Sequence, residues 1–222
     1  MEPMTLHQRR LFNTYTEMQA LAEKCAKNAP KGHARRLEFK HNGDVSKGEY
    51  PDIYDVTLRL KGMKNQNEEL DEHHFMVYLP VSYPMEPPLI KWGSDIFHPN
   101  ILGMLDPNDL TYKELRQEFD TEETMTRAIN QDPRWAELLS SYVCLDALKE
   151  NWTPSVTLSM LIVELANMIR YKTYNLRSVL NTAASAWAAE KEKTHSLPLD
   201  PHGLFETEEQ AMVRVVVKGR VE

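Results

Sequence analysis

Near the N-terminus, apolar residues recur at helical spacing: Leu11, Tyr15, Met18, Leu21 and Cys25 follow one another at steps of four, three, three and four. Arg9, Arg10, Glu17, Glu23 and Lys24 fall mostly between them. This is the stripe of an amphipathic helix that buries one face. Cys25 lies on the seam, where a cysteine acts as a small hydrophobe rather than a nucleophile.

After Ala29-Pro30-Lys31-Gly32 the period drops to two. Leu37 and Phe39, then Tyr54, Val56, Leu58 and Leu60, then Phe75, Val77 and Leu79 alternate with polar residues, the pattern of half-buried strands in an antiparallel meander. His41-Asn42-Gly43-Asp44 and the polar run from Lys61-Gly62 to Glu69 read as the turns between them. A fourth short strand, Leu89 to Trp92, follows Tyr83-Pro84-Met85-Glu86-Pro87-Pro88, whose prolines lack the amide hydrogens of a central ladder.

Downstream the helical period returns. Leu158, Leu161, Ile162, Leu165, Met168 and Ile169 share one face, behind a start at Thr153-Pro154-Ser155, and Leu180, Ala183, Ala184, Trp187 and Ala188 predict a second helix. Helix, strands, then helices make an α+β fold: a four-stranded antiparallel sheet with an N-terminal helix and C-terminal helices. Residues 102–141 stand outside that plan. Residues 102–143 hold nine acids and four bases, yet Leu115, Phe119, Ile129, Trp135, Leu138 and Leu139 give the stretch apolar positions to bury, so it reads as an acidic, helical insertion. The organisation expected is one domain over residues 1–196, interrupted by that insertion, and a C-terminal extension over 197–222 in which Val213-Arg214-Val215-Val216-Val217 reads as an added edge strand.

Charge and composition narrow the function. The formal net charge of −7, from 26 basic and 33 acidic residues, argues against a surface built to neutralise phosphates, so no nucleic-acid partner is expected. No stretch approaches the ~18 consecutive apolar residues of a membrane span, and Met1 to His7 lacks the apolar run of a signal peptide. Two cysteines in 222 residues suit a reducing, cytoplasmic setting without a disulfide framework. The adjacent His73 and His74 would point to opposite faces of a strand, so no metal site is expected.

Taken alone, Cys144 in Tyr142-Val143-Cys144-Leu145-Asp146 reads first as a buried, inert thiol and second as a nucleophile. Its neighbours change the weighing: Tyr83-Pro84 with Pro87-Pro88, then His98-Pro99-Asn100, then Cys144-Leu145-Asp146, Trp152-Thr153-Pro154, and Leu180-Asn181 with Ala183-Ala184. In that order, after an N-terminal helix and a strand meander, the set resembles the ubiquitin-conjugating enzymes over roughly residues 6 to 101 and 142 to 191. The resemblance implies that family's fold and no cofactor. It also implies that Cys144 accepts a ubiquitin-like modifier as a thioester from an activating enzyme and passes it to a lysine amine. Only the thiolate is a good nucleophile, and a cysteine of ordinary pKa near ~8.5 is a few per cent ionised at neutral pH, so the thiol must be reachable. Asn100 matches the residue that stabilises the oxyanion; the alternative is that it braces its own turn. His98, Pro99, Asp146 and Trp152 match structural residues near the site. The N-terminal helix, here with Arg9 and Arg10, matches the activating-enzyme surface, and Met85, Glu86, Thr153 and Pro154 stand where relatives receive ligases.

Three departures accompany the resemblance. His98 and Cys144 are 46 positions apart, a stretch relatives cross with a far shorter connection, so the acidic insertion emerges beside the site and reads as a docking arm for the modifier or activating enzyme, with a lid or a neutral insertion as the alternatives. Tyr171 to Ser178 has none of the acids that many relatives use to position the incoming lysine, which leaves Asn175 and Ser178 as uncharged substitutes. Many relatives also carry an aromatic and a basic residue where Met85 and Glu86 stand. Such divergence fits bacterial relatives that serve modifier-conjugation operons. Two other readings stay open: a conjugating-like adaptor that binds a modifier or ligase without chemistry, and a thiol hydrolase pairing Cys144 with His98.

Overall fold

A computed structural model describes residues 4–29, 36–103, 121, 123–124, 127, 142–143, 152–177 and 179–205. The first helix, α1 (Leu6–Lys27), starts at a reciprocal cap: the Thr5 hydroxyl accepts the Gln8 N–H and the Gln8 side chain accepts the Thr5 N–H. It ends with Lys24 and Lys27 in its last turn, where cations complement the exposed carbonyls. Its buried seam is Leu11, Thr14, Met18, Leu21 and Cys25. Tyr15, expected on that seam, is only half-buried, and Thr14 takes its place, because the stripe drifts toward the sheet edge where Tyr15 meets His41 edge-on. Burial pushes the Cys25 thiol up to about 12, against the opposing charge of Lys24, so it stays protonated.

Four strands, β1 (Leu37–His41), β2 (Ile53–Leu58), β5 (His73–Tyr78) and β6 (Leu89–Trp92), form an antiparallel sheet in the order β1-β2-β5-β6. Alternation puts one row of residues across its inner face: Phe39 opposite Val56, Val56 opposite Phe75, and Phe75 opposite Trp92, whose rings stack at 5.0 Å. The proline-rich segment precedes an edge strand, as its missing amide hydrogens require.

The polar run after Leu60, expected to be a simple turn, is a hairpin of β3 (Gly62–Asn65) and β4 (Glu68–Leu70). Asn65 closes its tip by accepting the Asn67 N–H at 2.9 Å, a turn the asparagine makes from its own side chain. Gly62 is needed because a Cβ there would lie 2.8 Å from the ring of His73, which is fully buried.

Two helices complete the layer. α2 (Leu158–Ile169) buries eight of its residues and is capped by Thr157, four positions after the start expected from the sequence, because the Thr157 hydroxyl accepts the Met160 N–H. α3 (Thr182–Lys193) is capped by Asn181, so Leu180 precedes the helix rather than opening its apolar face. The main core joins α1, the sheet and α2. Residues 197–205 pack on the fold as well: Leu204 and Phe205 are buried in that core, Leu197 and Leu199 pack against the smaller cluster of Met63, Tyr171 and Ala188, and Asp200 binds the buried Arg36 at 2.6 Å while the Arg170 guanidinium donates to the Asp200 and Pro201 carbonyls. The packing therefore continues past position 196. Val213 to Val217 lies outside the described residues. Among the described residues, no helix is long and apolar enough to cross a membrane.

Candidate functional site

Three two-residue strands frame the site. β7 (Phe97–His98) and β8 (Ile101–Leu102) form a hairpin whose tip is Pro99-Asn100, and β9 (Tyr142–Val143) pairs antiparallel with β8, Val143 opposite Ile101 and Tyr142 opposite Leu102. Ile101 and Val143 are both buried, so the pair is fixed by the core as well as by its ladder. The excursion between Leu102 and Tyr142 is thus closed at its base.

Asn100 is 1% exposed and engages the loop after α2 with both ends of its amide. Its Nδ2 donates to the Asn175 carbonyl at 2.7 Å, and its Oδ1 accepts the Asn175 N–H at 2.7 Å. A side-chain amide is well suited to this, since it offers a donor and an acceptor side by side, as a backbone peptide does. Asn100 therefore stitches two segments 75 positions apart. The Asn175 side chain is used locally, its Oδ1 accepting the Arg177 N–H at 2.8 Å.

His98 is completely buried, with its Nδ1 accepting the Asn100 N–H at 3.1 Å and its ring 4.8 Å from that of Tyr171. Burial pushes its pKa down from 6.5 to about 3, and the Met168 carbonyl facing the ring only partly offsets this. Among the described residues, no hydrogen bond of ordinary geometry closes on Nε2. The imidazole is neutral and walled off. Pro99 contributes its carbonyl, which accepts the N–H groups of Leu180 at 2.8 Å and Asn181 at 3.2 Å and so ties the entry of α3 to the turn.

On the other side, the Trp152 indole donates to the Pro84 carbonyl at 2.8 Å, joining the Trp-x-Pro turn to the proline-rich turn. Met85 is 61% exposed, and Glu86, Thr153 and Pro154 are exposed with it. Arg9 is exposed, whereas Arg10 is half-buried and donates to the Tyr83 carbonyl at 3.4 Å, which makes it a link between α1 and the proline turn. Cys144, Asp146 and Ser178 lie outside the described residues, as does most of the 102–141 insertion. Of the sequence-derived residues, the structure thus brings together His98, Pro99, Asn100 and Asn175, and separately joins Trp152 to the turn that carries Met85 and Glu86.

Sequence reasoning missed Tyr171. Its ring packs on His98, Tyr174 and Trp187, and its hydroxyl donates to the Phe97 carbonyl. The only signal available was a large aromatic directly after the apolar stripe of α2. Among the described residues, no three His, Cys, Asp or Glu side chains converge to hold a metal.

No family model matches the chain. Among solved structures it is similar to the E2 domain of a Toxoplasma gondii ubiquitin conjugating enzyme, at 15% sequence identity and a TM-score of 0.47, over 90% of this chain and 97% of that one.

Proposed function

We propose that this chain is a conjugating enzyme for a ubiquitin-like modifier, acting in the cytoplasm, with Cys144 as its nucleophile. The observation that carries the reading is the pairing of Val143 with Ile101. Paired strands hold opposite Cα atoms roughly 5 Å apart. Val143, the residue that precedes Cys144 in sequence, therefore stands next to the His98-Pro99-Asn100 turn, although 45 positions separate it from His98. An ordered set of motifs scattered along the chain has a spatial counterpart.

The chemistry is two acyl transfers. The Cys144 thiolate attacks the thioester of a charged activating enzyme, a new thioester forms on Cys144, and the activating enzyme's thiol leaves. A neutral lysine amine then attacks that thioester; the amide forms, Cys144 leaves as thiolate, and the nitrogen gives up a proton. Negative charge on the carbonyl oxygen in each step is what a fixed amide donor stabilises. The two bonds from Asn100 to Asn175 favour loop bracing as its first role, and an amide so held has a fixed orientation for the oxyanion role. Asn175 and Ser178 belong to the acceptor side. Arg9 of α1 faces the activating enzyme, and Met85, Glu86, Thr153 and Pro154 form the surface offered to a ligase.

The buried, neutral His98 speaks against a thiol hydrolase, because a base that must take a thiol proton needs an open nitrogen near neutral pKa. Intact mass after incubation with ATP, an activating enzyme and candidate modifiers tests the reading. The expected result is a reductant-sensitive adduct of one modifier on the wild type and none on Cys144→Ala. A folded protein with a titratable Cys144 that gains no adduct from any activating enzyme and modifier tested would favour the adaptor.

A further inference from the structure

Tyr171 follows Arg170, the C-cap of α2, with a φ of 58°, in the left-handed region. Its N–H donates to the Met168 carbonyl at 2.8 Å, and the Lys172 N–H donates to the Asn167 carbonyl at 2.9 Å. These two bonds close a Schellman turn, whose left-handed position is ordinarily glycine because a Cβ there crowds the following carbonyl oxygen. A tyrosine is held here against its own backbone preference.

Its side chain shows what holds it. It is 1% exposed, with ring centroids at 4.8 Å to His98, 5.1 Å to Trp187 and 6.0 Å to Tyr174, and with its hydroxyl on the Phe97 carbonyl. One residue thus touches the strand that enters the Pro99-Asn100 tip, the helix α3, and the residue just before Asn175. The left-handed step turns the chain back on α2, and four residues later the Asn175 N–H and carbonyl meet the Asn100 amide. Strained conformations persist where surrounding contacts over-determine them, and they concentrate at sites whose geometry matters.

We infer that Tyr171 is a positioning residue: its ring and left-handed backbone set the 172–177 loop against Asn100, and so set the acceptor side of the Cys144 thioester. The catalytic consequence rests on the conjugating reading; the positioning itself does not. Loading of Cys144 from an activating enzyme needs no incoming amine, whereas discharge does. Disturbing Tyr171 therefore slows discharge and spares loading.

Two variants separate the contributions. Tyr171→Phe keeps the ring and removes the bond to Phe97. Tyr171→Asn tolerates the left-handed backbone and removes the ring. The first readout is hydrogen exchange of the Asn100 side-chain amide by nitrogen-edited NMR, which needs no modifier. Exchange should quicken about threefold in Tyr171→Phe and about tenfold or more in Tyr171→Asn, the range expected for losing one or several weak supports. The second is single-turnover discharge of the Cys144 thioester to free lysine, slowed by about the same factors while loading stays within about twofold of wild type. Unchanged exchange in Tyr171→Phe and in folded Tyr171→Asn would overturn the inference, as would an equal loss of loading and discharge. If Tyr171→Asn does not fold, Tyr171→Phe decides alone. Absence of any thioester on the wild type sinks the conjugating reading instead, and leaves the exchange measurement to judge the positioning.

Discussion

The indole N–H of Trp152 and the carbonyl oxygen of Pro84 are 2.8 Å apart, and that single bond fastens two turns separated by 68 positions. The Tyr83 ring lies 6.2 Å from the indole and is itself buried, so the junction combines a hydrogen bond with aromatic packing. The bond also fixes the spacing between Met85 and Pro154, the exposed residues on either side of it.

Replacing Trp152 with Phe should keep much of the apolar contact while leaving the Pro84 carbonyl without its donor. A partly buried acceptor stripped of its partner costs ~1–2 kcal/mol. Urea denaturation should show the unfolding free energy lower by that amount, as a reduced midpoint at an unchanged slope. A midpoint equal to wild type would mean that water replaces the indole without penalty and that the two turns are not fastened by this bond.

Asn100 and Asn175 should respond unequally to truncation, although they are bonded to each other. Asn175 supplies backbone atoms to the brace, so Asn175→Ala loses only its side-chain bond to the Arg177 N–H, worth ~0.5–1 kcal/mol. Asn100→Ala loses both bonds of the brace and should cost ~2–3 kcal/mol. Thermal or chemical denaturation of the two variants compares them directly. Equal losses would show that the amide of Asn100 is not what holds the loop. If discharge to lysine is also unaffected in Asn175→Ala, the Asn175 side chain has no part in orienting the acceptor.

These residues mark where sequence reading succeeds and where it stops. The strands were legible because burial on one face enforces alternation: Tyr54, Val56 and Leu58 point inward and Asp55 and Thr57 outward. The α2 stripe was legible for the same reason at helical period. The caps at Thr157 and Asn181 were not, since any nearby Ser, Thr or Asn competes for the role and only the local backbone decides. The hairpin at Gly62 to Leu70 was hidden because strands that cover little core carry no apolar alternation. The brace between Asn100 and Asn175 was beyond reach for a different reason. It uses the backbone of one partner, and backbone atoms leave no mark in a sequence. Tyr171 was missed because its conformation defies the local preference that sequence reading relies on.

Two buried histidines set the acid side of stability. His98 is pushed down to about 3 and His73 to about 4, each mainly by burial, from an ordinary value of 6.5. The unfolded chain takes up a proton on each below that value and the folded chain does not. Their contribution is therefore complete above pH ~6.5 and is lost as pH falls, through a window reaching about 4 for His73 and about 3 for His98. Each histidine adds a slope of ~1.4 kcal/mol per pH unit inside its window. Asp200 acts lower still. Burial alone would raise its pKa, but the hydrogen bond and charge of Arg36 outweigh this and hold it below 3.8, so its contribution fades only under strongly acid conditions. Urea midpoints between pH 7.5 and 5, with imidazole titrations by NMR, check the sign: stability should fall across that range while both rings stay neutral. A ring that titrates near 6.5 in the folded protein would remove its share.

The last prediction concerns the acidic insertion, and it follows from the pairing of Leu102 with Tyr142. Because that pair already closes the excursion at its base, deleting residues 104–139 leaves Gly103, Ser140 and Ser141 to join strands whose register exists. A three-residue connection containing glycine is a common way to close a hairpin. The fold should survive, and shortening the loop should itself be mildly favourable, since closure entropy grows slowly with length. Stability within ~1 kcal/mol of wild type is the expected outcome. Function should divide from stability here: the acidic stretch carries Phe119, Trp135 and Leu139 in its sequence, residues it can offer a protein partner during the proposed transfer to Cys144. Single-turnover thioester formation should slow by about tenfold in the deletion variant, as for a lost docking contact of moderate strength. Loading at the wild-type rate in a folded deletion variant would discard the docking role, whereas loss of folding would show that the insertion helps to build the domain it interrupts.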